Sequence, residues 1–272
     1  PADDVHTKID LKEVRFLQDH DIKVIPTITN LRNGKWEPSI VQHVLSDRET
    51  STRHIQEIVD LAVSKDYDGI DIDYESLDSG DRGRFSSFLG RLGDALRSEG
   101  KLLTSSVHPK HSEPGANGFN AAQDYRAIGE AVDQVRVMTY DFHGEATPPG
   151  PVAPAEWVDQ VIGWAVTQIP PKKVILGIAL LGYKWSDSRV TTIGYESAKS
   201  LSRRQDVEVS RDGDQTPWFE FSSKTGNSQV WYEDAKSVEG KLELIQTHDL
   251  GGVFFWRLGG EDARLWEGLA KS

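Results

Sequence analysis

The chain has 272 residues, and its 43 acidic against 31 basic side chains give a formal net charge of −12 at pH 7. That length is enough for one sizeable α/β core, and the acidic balance argues against nucleic acid or an anionic membrane as partner. With no cysteine there is neither a disulfide nor a thiolate metal site, and no run approaches the roughly 18 apolar residues of a membrane span.

Strand-like and helix-like runs alternate along the chain. The segment DLKEVRFLQDHD places Leu11, Val14 and Leu17 or Phe16 on one helical face, and KVIPTIT (23–29) follows as a strand. Ile55, Ile58, Val59 and Ala62 recur at the three-four spacing of an amphipathic helix before the strand GIDID (69–73). Phe85, Phe88, Leu89, Leu92 and Leu96 form the next helical stripe, stopped by Gly100. LLTSSV (102–107) is a third strand, NAAQDYRAIGEAVD a short helix, and QVRVMTY (134–140) a fourth strand. A helix through PAEWVDQVIGWAVTQI, with Pro170 after its end, leads to the fifth strand KVILGIAL (173–180). Residues 183–232 break the rhythm with polar turns and short strand-like pieces, and read as a small inserted subdomain. EDAKSVEGKLELIQTHD resumes as helix, GGVFFW (251–256) is the sixth strand, and EDARLWEGLAK closes the chain.

Such alternation implies parallel βαβ units, and strands apolar nearly throughout imply cover on both faces. No glycine-rich phosphate loop follows any strand, which disfavours an open dinucleotide-binding sheet against a closed barrel. The eight tryptophans are expected mostly in the core.

The stretch DGIDIDYE carries the chemistry. Side chains alternate along a strand, so Asp71, Asp73 and Glu75 share one face and Ile70, Ile72 and Tyr74 the other. In a barrel the apolar set would pack on the helices and the acidic set would climb to the C-terminal rim, where such barrels keep their active sites. Three carboxylates so close raise at least one pKa, and a proton held on Glu75 would make it a general acid. Two other readings remain open at this point: a solvated acidic edge strand, or a cation site completed by His108 or His143. Other strand ends finish in polar or aromatic residues, namely Asn30, His108, Tyr140 with Asp141, and Trp256.

DGIDIDYE resembles the signature of glycoside hydrolase family 18, the chitinase family; VMTYD (137–141) and GGVFFW resemble its sixth- and eighth-strand motifs. The WRLG at 256–259 is similar to the branch containing spore-cortex and peptidoglycan N-acetylglucosaminidases. The resemblance implies a retaining hydrolase of β-1,4-linked N-acetylglucosamine polymers, with the substrate's own acetamido oxygen as nucleophile. It assigns Glu75 as acid and then base. Asp73 would hold the acetamido N–H, Asp71 would modulate Asp73, and Tyr140 would bond the acetamido carbonyl. Asp141 and Trp256 would contact the sugar, and Asn30, His108 and Tyr183 would join the substrate-binding set. Trp185, Trp218 and Trp231 could line a cleft wall. No cofactor and no metal are implied.

The expected fold is therefore a TIM-type (β/α)8 barrel lacking its first two strands in this chain. Residues 1–182 and 233–272 would form the barrel and residues 183–232 the insertion. The strand end TITN stands where chitinases carry a Ser-x-Gly-Gly type motif. Open apolar edges would favour self-association. A wall polymer as substrate implies a secreted or wall-associated protein whose export signal is absent from this chain, with the cytoplasm as the other reading. The alternative function is a catalytically silent, lectin-like binder of the same polymers; a metal-dependent barrel enzyme is a third.

Overall fold

The computed structural model describes residues 10–115, 118–223 and 226–269. Two units are distinguished: Pro1–Arg136 with Trp164–Val174, and Val137–Gly163 with Ile175–Ser272.

In the first unit, α1 (Leu11–Gln18) is capped by Asp10, whose carboxylate accepts from Lys12 N at 2.8 Å. Of the expected apolar stripe only Val14 is buried; Phe16 is 60% exposed. β1 is confined to Thr27–Thr29, shorter than the strand expected from Lys23. Its approach is held by Val24 N to the Asp68 carboxylate and by Asp71 N to Pro26 O, and Pro26 has no N–H to return. A hairpin that the strand-helix alternation did not anticipate follows: β2 (Leu31–Arg32) and β3 (Lys35–Trp36), turned by Asn33 and Gly34 at φ 52° and 75°. Also unanticipated is α2 (Pro38–Ser46), with proline in its first turn and Val41, Val44 and Leu45 buried. α3 (Arg48–Ser64) is capped by Asp47. β4 (Gly69–Asp73), α4 (Arg82–Ser98) and β5 (Leu102–Val107) fall where periodicity puts them. The single helix expected over 120–133 is two, α5 (Gly118–Ala121) and α6 (Tyr125–Ala131), because Asp124 accepts from Ala127 N and starts a new helix. β6 (Gln134–Val137) completes the order β1-β4-β5-β6, with β1–β4 and β4–β5 parallel.

The apolar face of β4 meets the helices. Ile70 and Ile72 are fully buried, and Tyr74 packs between Phe85 and Phe88 of α4 while sharing a 2.7 Å hydrogen bond with His54 Nε2 of α3. β4 has strand neighbours on both sides, so the acidic edge-strand reading fails.

In the second unit, α7 (Ala155–Gln168) precedes β7 (Val174–Ala179), which pairs in parallel with the last strand, β13 (Gly252–Trp256). Between them lie β8 (Gly182–Ser186), β9 (Arg189–Ile193), α8 (Tyr195–Gln205), β10 (Ser210–Arg211), β11 (Pro217–Ser223) and β12 (Gly226–Trp231). These strands form one antiparallel sheet in the order β10-β11-β12-β8-β9. Its core joins Tyr195 and Ala198 of α8 to Phe219, Val230 and Tyr232. α9 (Ala235–Thr247) opens on a capping box between Asp234 and Ser237, and α10 (Arg264–Leu269) ends the described chain. Among the described residues no helix is long and apolar enough to cross a membrane.

Gly69 shows why the signature stretch begins as it does. A Cβ there would lie 2.4 Å from Leu102 O on β5, so only glycine lets the two strands approach. Gly69→Ala should destabilise the protein by roughly 1–3 kcal/mol through overpacking. Urea unfolding of the two proteins checks this, and equal midpoints would show that the ladder is looser than described.

Candidate active site

In the first unit the acidic face of β4 is lined from the side by β5 and β6. Thr104 and Ser106 donate their hydroxyls to the two Asp71 oxygens, at 2.5 and 3.1 Å. The Arg136 guanidinium stands 3.7 Å away. Asp71 is 1% exposed and fully engaged. Asp73, one step up, is half-buried, and its Oδ1 is enclosed with no partner among the described residues. Burial, then the charge of Glu75 and that of Asp71, push Asp73 up to about 8. Asp73, which feels a like charge from both sides, thus keeps a proton at neutral pH.

Glu75 lies two residues beyond the end of β4. Its backbone N–H donates to Asn30 Oδ1 and its carbonyl accepts from Asn30 Nδ2, both at 2.9 Å. His108, just past β5, brings Nε2 to 3.6 Å from Glu75 Oε2. Its backbone is fixed by Gln123 and Tyr125, through His108 N to Gln123 Oε1 and Tyr125 Oη to His108 O. Burial lowers the His108 imidazole to about 4, so it is neutral at physiological pH. Asn30, His108, Asp71, Asp73 and Glu75 therefore cluster as the sequence anticipates. Asn30 is only 2% exposed, however, and spends its carboxamide on the backbone of Glu75, a role that strand-end counting did not suggest.

In the second unit the ladder of the expected strand 134–140 stops at Val137, and Tyr140 and Asp141 stand on a tight segment in which Tyr140 N donates to Met138 O. Asp141 adopts a left-handed backbone, φ 60°, and accepts a 2.8 Å hydrogen bond from Tyr183 Oη. Burial and the neighbouring Asp141 raise the Tyr183 phenol above its ordinary range. The half-buried Tyr140 packs against the cluster of Val152, Ala179, Tyr183 and Trp185 and edge-on to Phe254. Trp256 ends β13 with its side chain 51% exposed, a flat apolar surface open to a ligand. Trp185 is buried, its indole N–H shared by the Gly144 and Thr147 carbonyls, and Trp218 and Trp231 stack at 5.3 Å. Trp185 is the only buried tryptophan among the described residues, five others being half-buried and Trp256 and Trp266 exposed, against the expectation that most are core.

Sequence reasoning missed Thr104, Ser106 and Arg136. Alternation in LLTSSV puts Thr104 and Ser106 on one face, and the Asp71↔Thr104 register aims them at the acid. Among the described residues no group of three or more His, Asp or Glu is arranged to hold a metal ion.

Residues 4–261 match the family described as glycosyl hydrolases family 18. A cortical fragment-lytic enzyme of Bacillus subtilis is 32% identical over 242 residues, 85% of this chain and 56% of that protein. The spore cortex-lytic enzyme SleL of Bacillus cereus superposes with a TM-score of 0.93 at 27% identity, covering 100% of this chain and 65% of that one. A chitinase from Chromobacterium violaceum gives 0.92 at 28% identity, covering 99% and 87%. The fold is a TIM-type barrel of the kind that carries O-glycosyl hydrolases. The chain belongs to glycosyl hydrolases family 18. It spans little more than half the length of the curated relatives it matches.

The raised carboxyl has a thermodynamic consequence. Asp73 retains its proton in the folded state up to about 8, while the unfolded chain releases it near the ordinary aspartate value of 3.8. Folding thus binds a proton between those values, and stability falls as pH rises through that window. Asp73→Asn should raise the thermal midpoint relative to the parent at about pH 9 and leave it nearly unchanged at about pH 4. Calorimetry at both pH values checks the sign; an offset independent of pH would contradict a buried protonated Asp73.

Proposed function

We propose that the chain is a retaining glycoside hydrolase of β-1,4-linked N-acetylglucosamine polymers, with Glu75 as acid and base. The observation that carries the proposal is the β4 face: three adjacent carboxyl groups rising to Glu75, with a protonated Asp73 beside it. Family membership supports the same reading. Neutral His108 adds no full positive charge next to Glu75, which suits a group that must deliver a proton.

In the proposed reaction Glu75 gives its proton to the glycosidic oxygen as the C1–O bond breaks, and the bonding pair leaves with that oxygen. The acetamido carbonyl oxygen of the same sugar bonds to C1 and forms an oxazolinium ion, which is the family's departure from the two-carboxylate scheme. Asp73 would accept a hydrogen bond from the acetamido N–H through its carboxyl oxygen, which orients the acetamido carbonyl toward C1 and helps to disperse the positive charge of the ring. Glu75, now a carboxylate, takes a proton from water as water attacks C1; the bond from C1 to the acetamido oxygen breaks, its electron pair returns to that oxygen to regenerate the acetamido group, and the configuration and the acid are restored. Tyr140 would bond the acetamido carbonyl and Asp141 a sugar hydroxyl, with Tyr183 orienting Asp141. Trp256 would carry the apolar face of the sugar.

The relatives' names divide between spore-cortex lysis and chitin cleavage. We take peptidoglycan as the first polymer to test and chitin as the second, and place the protein's action outside the cell or at its wall.

Glu75→Gln should lower turnover by about 10³-fold while ligand binding persists; unchanged release of reducing sugar would refute the acid assignment. A thiazoline mimic of the cyclised sugar should inhibit competitively. If it fails on an otherwise active enzyme, acetamido participation is wrong. A lectin-like chain would instead bind the insoluble polymer and release nothing.

A further inference from the structure

The β1–β4 ladder ends with the pair Thr29 and Asp73. Just beyond that pair the pattern changes: Asn30, one residue on, turns into the β2–β3 hairpin, and Glu75, two residues on, is followed at once by Ser76 in the left-handed conformation, φ 58°. Beyond Asp73, the strand ladder with β1 no longer holds the Glu75 backbone. A side chain takes over. The carboxamide of Asn30 presents an acceptor to Glu75 N–H and a donor to Glu75 C=O, reproducing what a neighbouring peptide group would offer. Asn30 is in turn fixed by the hairpin, since Glu37 N donates to Asn30 O at 3.0 Å. Being 2% exposed, with both ends of its amide committed, it has little left to offer a sugar.

We infer that Asn30 is a positioning residue that clamps the backbone of Glu75 and so aims its carboxyl, and that it does not bind substrate. The inference rests on the reading of Glu75 as the acid. A carboxamide is needed for this task. Serine supplies one short hydroxyl, alanine nothing, and aspartate two acceptors, one of which would face the Glu75 carbonyl. Because a misplacement on the order of 1 Å can cost about 10²-fold in rate, loss of the clamp should appear in kcat.

The experiment compares the chain with Glu75→Gln, Asn30→Ala and Asn30→Asp on soluble fragments of the polymer that it degrades, following kcat and KM separately with thermal midpoints measured alongside. Asn30→Ala should lower kcat by about 100-fold with KM nearly unchanged. Asn30→Asp should be as impaired near neutral pH and recover relative to the parent as pH is lowered, because a protonated carboxyl again has one donor and one acceptor. The titratable groups on the segments bonded to this position are Asp73, Glu75 and Glu37, with neutral His108 beside Glu75. With Asp73 holding its proton, burial and the Glu37 carboxylate favour the protonated form of the introduced acid and move its recovery toward neutral pH. The aspartate variant also keeps the test decisive should the alanine variant fail to fold.

A rise in KM at constant kcat would make Asn30 a substrate contact and overturn the inference. A lowered thermal midpoint with unchanged kcat, or an Asn30→Asp profile parallel to that of the parent, would make it merely structural and overturn it too. If Glu75→Gln turns over at the parental rate, the acid assignment and the clamp fall together. If it is inactive while both Asn30 variants keep the parental kcat, only the clamp falls.

Discussion

Placing three carboxyl groups at alternate positions of a strand with neighbours on both sides is electrostatically expensive, and the first unit is arranged around that cost. Desolvation and like charge both disfavour ionisation there. Each carboxyl meets the cost differently. Asp71 is surrounded by donors, two hydroxyls and a nearby guanidinium, which is how a buried acceptor is kept from being an orphan. Asp73 has an oxygen without a partner among the described residues and holds a proton instead. Glu75 sits past the ladder, half-buried, with its backbone tied down by Asn30. The opposite face of the same stretch, Ile70, Ile72 and the ring of Tyr74, packs toward α3 and α4, so β4 cannot slip by one position without burying isoleucines among carboxylates and carboxylates among phenylalanines.

Much of this was legible because period-two alternation is a strong local signal when the two faces differ so sharply in polarity. DGIDIDYE assigned both faces of β4 correctly, and the helical stripe from Phe85 to Leu96 located α4. What escaped was short or non-local. The hairpin at Asn33-Gly34 carries the local signature of a two-residue turn, yet its strands are two residues each and leave no periodicity to count. In α1 the apolar spacing predicted a buried stripe, but only Val14 is covered, because periodicity gives a helix its face and not the neighbour that will cover it. Asp124 ended one helix pattern and began another as an N-cap, which hydrophobic spacing alone does not register.

The location of the proton was the least legible feature of the site. Spacing said that one carboxyl of the trio must titrate high but not which. The answer depends on Thr104 and Ser106 satisfying Asp71 from a strand more than 30 residues away, leaving Asp73 as the group with two charged neighbours and one empty lone-pair direction. Similarly, Asn30 was recognisable as a polar strand end. Its commitment to the Glu75 backbone follows only once β1 and β4 are known to be adjacent, parallel, and to stop pairing at Thr29 and Asp73.

That stopping point bears on why TITN can replace a Ser-x-Gly-Gly ending. Had the ladder continued to Glu75, backbone of β1 would have satisfied the N–H and C=O of the acid, and the residue after Thr29 could have been small. Here β1 pairs with β4 only as far as Thr29 and the chain then forms the hairpin, and it is the Asn30 side chain that meets the Glu75 N–H and C=O. Two buried or half-buried backbone groups left unpaired would cost about 1–3 kcal/mol each. One carboxamide satisfies both, and it does so from a position locked by Glu37 N–H on the far side of the hairpin. The hairpin and the asparagine are thus one device, in which the early departure of β1 creates the need that the Asn30 side chain fills.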